Sequence, residues 1–444
     1  MTHKQQIHAL YQQIAQALAD RGFLRQAGLS KGALETALRR EEWEKALSGL
    51  WPLAGRADCA AILELCRPAM ERLAPEPECG WMEGAYHLVR YTMFGQKEYM
   101  HPLEKSRPAL YFYLKVLQFF LDAERQQQPF DPMVDLEFLK DDEALRYPNG
   151  RAYLRFKAAW RSQYIYEMLR LGELVTPFRT LEHIAGVHYV AVAVARGMLA
   201  AGLPLDLALT SGSSAGHDLG KFGCRPGERV PYLHYYYTDQ WFHQLNLDEF
   251  GHIAANHSTW DLELENLSAE NLCLIYADFR VKQERDENGR EIARIYSLRD
   301  SFDVILSKLD NVDDAKLRRY KFVYSRLEAF EGYMRALGVD VDLTGQPQKP
   351  AVLPDIALRS AEDTLKSLAY MGIDHNIRVM HTLSTERQFG NLLEAARSEK
   401  NWKHIRAYLT VFQEYSTYLS FAQKKQTLGF LYELLMHREG DIRR

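Results

Sequence analysis

Seven of the fifteen histidines, His183, His188, His217, His234, His243, His252 and His257, fall within about one-sixth of the chain. Imidazole nitrogen is the commonest protein ligand for metals, and crowding of this kind exceeds what packing asks of histidine. Residues 179–282 carry 7 Lys/Arg against 12 Asp/Glu, a negative surplus that two divalent cations would nearly offset. The order of the residues then matters. His183 opens a helical pattern whose apolar face is Val187, Val190, Ala191 and Val194, so its ring should project from the inner side of that helix. Thirty-four residues on comes Ala215-Gly216-His217-Asp218-Leu219-Gly220-Lys221-Phe222-Gly223, where adjacent His and Asp can ligate from one backbone turn and the carboxylate can bridge two cations. The glycines allow close approach of backbone and substrate. Asp278 lies in the apolar run Leu274-Ile275-Tyr276-Ala277-Asp278, where an unpaired buried charge is costly and a ligand role removes the cost.

The ordered set His183, His217-Asp218 with Leu219-Gly220-Lys221, then Asp278 resembles the HD superfamily of metal-dependent phosphohydrolases, over roughly residues 177–285. Asn256-His257-Ser258-Thr259-Trp260-Asp261 is similar to the histidine-rich stretch of the HD-GYP-like branch. The family's adjacent histidine pair stands here as Asn256-His257, and no Gly-Tyr-Pro follows Asp261, so specificity for cyclic-di-GMP is not carried over. Arg179 occupies the place where trinuclear members carry an acid, which leaves a dinuclear centre as the most the resemblance implies.

On that resemblance His183, His217, Asp218 and Asp278 hold a first cation, with Asp218 bridging, and His234 and His257 complete a second. Nitrogen and carboxylate donors suit manganese or iron, with nickel, cobalt or magnesium as further choices. The chemistry implied is hydrolysis of a nucleotide, cyclic nucleotide or related small phosphoester by a metal-activated water. Lys221 and Arg280 are the expected phosphate contacts, Arg280 on the condition that the chain beyond Asp278 is extended. His188 stands where the family has a small residue and is expected to line the pocket, whereas His243 and His252 read as supporting or structural. The competing reading is a helical scaffold or sensor that binds metal and nucleotide with little turnover.

These residues need helices to position them, and the chain supplies a mainly α pattern. Ile7, Leu10, Tyr11, Ile14 and Leu18 form the first stripe, followed by windows at 34–50, 60–73, 108–126 and 150–171. Breaks fall at Trp51-Pro52 and Pro75-Glu76-Pro77. The run Tyr111-Phe112-Tyr113 reads as core rather than as a stacking platform. A single strand pair, 279–285 and 290–298, flanks Asp286-Glu287-Asn288-Gly289, whose Asn-Gly suits a hairpin turn. The expected organisation is a helical accessory region at 1–176, a central HD-type domain with its hairpin insert at 177–340, a turn-rich linker at 341–350 and a helical, solenoid-like region at 351–444.

Composition excludes several classes. A net charge of −4 offers no general attraction to nucleic acid or anionic lipid, and the run from Lys316 to Lys321 reads as a solvated helix face. Asp310, Asp313 and Asp314 lack the spacing of a calcium loop. Five scattered cysteines without a C-x-x-C pair suggest neither disulfides nor a thiolate zinc site, and with no apolar leader block the expectation is cytoplasmic. The most apolar window, 189–205, carries Arg196 and reads as a buried helix rather than a membrane span. Expected partners are the small phosphorylated substrate and, through the helical flanks, a second copy or another protein.

Overall fold

Apolar side chains at three- and four-residue steps build nearly all of this molecule, so most of its backbone is helical. The computed structural model describes residues 2–50, 55–257, 267–285, 287, 291–308, 314–345 and 373–443. The N-terminal part comprises α1 (His3–Leu18), α2 (Arg21–Ala27), α3 (Lys31–Ala37), α4 (Arg40–Leu50), α5 (Cys59–Leu73), α6 (Trp81–Met93), α7 (Lys97–Met100), α8 (Arg107–Gln127), α9 (Asp141–Ala144), α10 (Gly150–Ser162) and α11 (Ile165–Val175). Tyr111, Phe112 and Tyr113 are buried on α8, as core. Where one helix was expected over 150–171 there are two, because Tyr164 takes φ 57° and turns the chain between α10 and α11. Its buried ring lies 5.9 Å from that of Tyr111, and this packing holds a backbone conformation that non-glycine residues rarely adopt. The Trp51-Pro52 break lies outside the described residues.

The central part contains α12 (Thr180–Ala200), α13 (Leu207–Gly216), α14 (Val230–Gln244), α15 (Asp248–Ala255) and α16 (Ala269–Arg280). Strands β1 (Val281–Arg285) and β2 (Glu291–Ile295) then pair antiparallel with Val281 opposite Ile295, and α17 (Leu298–Lys308) and α18 (Asp314–Ala336) follow. The hairpin is the sole sheet among the described residues, with its turn largely outside them. Of the described helices only α12 is long and apolar enough to cross a membrane, and 67% of its apolar window is buried inside the protein.

One cluster of buried side chains runs from Ile7 to Val341, so the core does not divide at 177. A second, separate cluster, Leu383, Phe389, Leu393, Ala396, Phe412, Leu419 and Phe430, holds the C-terminal helices Ile373–Ser384, Glu386–Ser398, Trp402–Glu414 and Phe421–Leu434 together. Gly345 is the last described residue before them. Most of the linker expected at 341–350, together with 351–372, lies outside the described residues.

Helix ends in the central part are pinned from neighbouring elements. The Asp206 carboxylate caps α13 by accepting from Leu209 N at 2.9 Å, and it also accepts from Asn149 N at 2.8 Å. Asp206 N in turn donates to Glu270 Oε1 of α16 at 2.7 Å. Ser268 caps α16 through Asn271 N. These bonds set how far α13 and α16 reach, and hence where His217 and Asp278 arrive.

Candidate metal centre

His183 sits in the first turn of α12, His217 at the C-terminal cap of α13, Asp218 just beyond it, His234 in the second turn of α14, His257 two residues past α15, and Asp278 in the last turn of α16. Five elements thus deliver six side chains to one place. His183 Nε2 lies 3.3 Å from His217 Nε2, 3.2 Å from Asp218 Oδ2 and 3.1 Å from Asp278 Oδ1. His217 Nε2 lies 3.6 Å from Asp218 Oδ2 and 3.9 Å from Asp278 Oδ1. On the other side of the same carboxylate, Asp218 Oδ1 is 3.6 Å from His234 Nε2 and 3.8 Å from His257 Nε2. The two oxygens of Asp218 therefore face two different imidazole pairs.

Three of the histidines are oriented by their own helices. His217 Nδ1 meets the carbonyl of Ser214 at 2.7 Å, His234 Nδ1 that of Val230 at 2.8 Å, and His257 Nδ1 that of Ala254 at 2.6 Å. A carbonyl only accepts, so each Nδ1 carries the proton and each neutral ring presents a bare Nε2 lone pair to the centre. Burial supports the neutral form, pulling His217 and His257 down to about 4 and His234 down to about 3. His183 goes the other way: burial opposes its charged form, yet hydrogen bonding to Asp218 and Asp278 outweighs that and raises it. Both carboxyls resist burial too and stay ionised. Lys221 leads in holding Asp218 low, and Lys282 in holding Asp278 low.

The donor set fits cations. Ligand atoms about 2.0–2.2 Å from one ion lie roughly 3–4 Å from each other; those of His183, His217 and Asp278 are 3.1 to 3.9 Å apart, and His217, Asp218 and His257 form a second such group. Asp218 Oδ2 is buried, and its close neighbours are the His183 ring and one ammonium group. Lys221 Nζ is the nearest positive group, 2.5 Å away and part exposed.

The turn that aims Asp218 and Lys221 is a short 3-10 segment, Leu219–Gly223, pressed against α14. Gly220 N donates to Thr238 Oγ1 at 3.0 Å, and Thr238 Oγ1 donates to the His217 carbonyl at 3.0 Å. A β-carbon at Gly220 would run into the His234 carbonyl oxygen and Thr238 N, so only glycine fits. The close approach foreseen for these glycines is made to α14.

Two expected site residues lie elsewhere. Arg280 is still helical, about 200° round α16 from Asp278, and its guanidinium is taken by the carbonyls of Tyr296 at 2.7 Å and Val341 at 2.5 Å and by the Tyr276 hydroxyl at 3.1 Å. The extended backbone assumed at 278–280 begins only at Val281, which is why Arg280 is a structural strut rather than a phosphate contact. His188 is about 140° round α12 from His183. Its Nε2 meets Ser211 Oγ at 2.9 Å, Ser211 meets the Tyr153 hydroxyl at 2.8 Å, and burial pulls His188 down to about 3. It ties α12 to α13 and α10 and does not line the centre.

Two neighbours of the centre were not among the expected site residues. Lys282 Nζ lies 2.7 Å from the Asp278 carbonyl and 3.8 Å from Asp278 Oδ2. Its signal was the four-residue spacing from Asp278, which a helix end brings together. The Tyr235 ring lies 3.8 Å from that of His234 and 4.9 Å from that of His257, centroid to centroid. His243 is exposed beside Asp248, and His252 lies 3.7 Å from Asp239. Of the 256–261 stretch only Asn256 and His257 are among the described residues. Comparison with protein families, curated proteins and solved structures finds no match for the chain.

Proposed function

We propose that the protein is a metal-dependent phosphohydrolase of HD type, acting on a nucleotide, cyclic nucleotide or related small phosphoester. The observation that carries this reading is the division of Asp218: Oδ2 towards His183 and His217, Oδ1 towards His234 and His257. A bridging carboxylate between two nitrogen-rich sets is what a dinuclear hydrolytic centre requires. His183, His217, Asp218 and Asp278 would hold one ion, and Asp218, His234 and His257 the other, manganese or iron being the ions that best suit these donors. Such a pair of ions, when bound, lowers the pKa of water and neutralises phosphoryl oxygens.

The chain's own groups then have distinct tasks. The fixed Nδ1–H bonds hold three imidazoles in one tautomer, so the centre needs little reorganisation. Lys221, whose side chain is 35% exposed, can exchange its contact with Asp218 for one with a substrate phosphate. Lys282 stands ready on the Asp278 side. The buried walls exclude bulk water from the imidazoles and strengthen each of these interactions.

The test is direct. Purified protein should contain manganese or iron and should release p-nitrophenol from bis-p-nitrophenyl phosphate in a metal-dependent way. Replacing His217 and Asp218 together by alanine should abolish both, and unchanged turnover in that double variant overturns the proposal. Metal binding without turnover of any nucleotide in a substrate screen would instead leave a metal-binding sensor.

A further inference from the structure

The last long helix, Phe421–Leu434, is packed on one face and carries apolar side chains on the opposite one. Gln423, Thr427 and Phe430 face inward, Phe430 within the C-terminal core. On the other side Phe421 is 86% exposed, Leu428 64%, Tyr432 76%, Leu435 54% and Met436 88%. Positions 421, 425, 428, 432 and 435 advance by four, three, four and three, which draws one stripe along a helix and its end. Lys425 is the sole charged member of that stripe. A helix already anchored by one face gains nothing in the monomer from a second.

The size and charge of the stripe point to what covers it. A fully exposed aromatic ring offers about 150–250 Å². At their exposures Phe421 and Tyr432 together present about 300 Å², and the leucines and Met436 bring the patch to roughly 600 Å², most of the ~800 Å² per partner in a standard interface. Lys424 and Lys425 stand at the N-terminal end of the stripe and both are exposed. A parallel copy would set lysine against lysine. An antiparallel copy sets them against the negative end of the partner helix and its Tyr432 ring.

We propose that this stripe is the interface of a two-fold symmetric dimer of the chain. The axis passes beside Leu428, so that Leu428 meets its own copy, Phe421 meets the partner's Leu435, and Lys424 meets the partner's Tyr432. A face that pairs with itself about a two-fold axis closes the assembly at two copies. The dimer joins two chains through their C-terminal cores. It stands whether or not the centres are catalytic.

Sedimentation and light scattering of the full chain test it. Wild type should be dimeric at about 50 μM, and Leu428→Glu, which places two carboxylates at the axis, should weaken association by roughly 100-fold or more. Circular dichroism and metal content should be unchanged, and Leu428→Ser serves as a second variant if glutamate perturbs the fold. With the exposed Cys79 replaced by serine, Phe421→Cys alone should not cross-link, whereas its mixture with Leu435→Cys should. A monomeric wild type at that concentration, the result expected if the chain's own residues 346–372 covered the stripe, overturns the proposal. So does a folded Leu428→Glu variant that remains dimeric, or a Phe421→Cys protein that cross-links to itself.

Discussion

His183 Nε2 and His217 Nε2 face each other at 3.3 Å although they come from helices that meet only through tertiary packing. With His217 Nδ1 held by the Ser214 carbonyl, the His217 lone pair points at a ring that two carboxylates also approach. Two imidazole nitrogens and two carboxylates converging in this way define a place for a cation, with Lys221 and Lys282 as the positive groups beside it.

Chelation should therefore destabilise the protein. A ligand that binds only the folded state stabilises it by about 2.7 kcal/mol at one hundred times its dissociation constant. Thermal melts with and without EDTA should differ by several degrees, and manganese or iron should restore the transition. Identical melts in the two conditions would remove the metal centre from the account.

The second set can be separated from the first. His257→Ala should lose one metal equivalent by elemental analysis, while His404→Ala, an exposed residue paired with Glu399, should lose none. Equal content in the two variants would reduce the centre to one ion.

The cations around the centre should divide by role. Lys221→Ala and Lys282→Ala should keep their metal but lower kcat/KM by roughly 10- to 100-fold, the loss expected from removing one charge-assisted phosphate contact. Arg280→Ala should act on stability instead, by about 2–3 kcal/mol, because it removes the donors of two carbonyl oxygens, that of Val341 in the interior and that of Tyr296 near it. A folded Arg280→Ala protein with normal stability and impaired KM would reverse that assignment.

Gly220→Ala should lower both the melting temperature and the occupancy of the second ion, since its new β-carbon presses on the backbone of α14 where His234 is carried. Retention of two ions at wild-type stability would show that α14 can yield.

Stability should also fall as the solution passes neutrality, for reasons remote from the metal. Burial raises Glu167 and Glu270 to about 7. A carboxyl whose folded pKa lies above its unfolded one stabilises the protein fully below about 4.5, and that contribution disappears as pH rises through about 7. Each is worth on the order of 3 kcal/mol at most. Denaturant titrations of a Glu167→Gln/Glu270→Gln variant should show a flatter decline between pH 5 and 8 than wild type, and parallel curves would contradict the shift.

Much of this molecule was legible in its residues. The apolar periodicity defined a mainly α chain with one small hairpin, and Tyr111-Phe112-Tyr113 could be assigned to the core because aromatic residues at helical spacing have few other uses. The convergence of these His and Asp side chains was legible because a carboxylate such as Asp278 in an apolar helix demands a partner, and because imidazoles crowd in one stretch. Side-chain direction was not. Whether Arg280 or Lys282 attends Asp278 turns on a single residue at a helix end, and a strand was assumed two residues too early. His188 could not be placed without knowing that five residues along α12 face a different neighbour.

Residue type and order alone thus determined which atoms could bind a cation and which elements would carry them, since both follow from local chemistry and local hydrophobic period. The tertiary structure alone decided that Asp218 divides its oxygens between two imidazole pairs, that Gly220 serves α14, and that Phe421–Leu434 keeps an apolar face outside the core. Those outcomes depend on the rotation and approach of packed helices, which are set jointly by distant side chains and so cannot be read from any one segment.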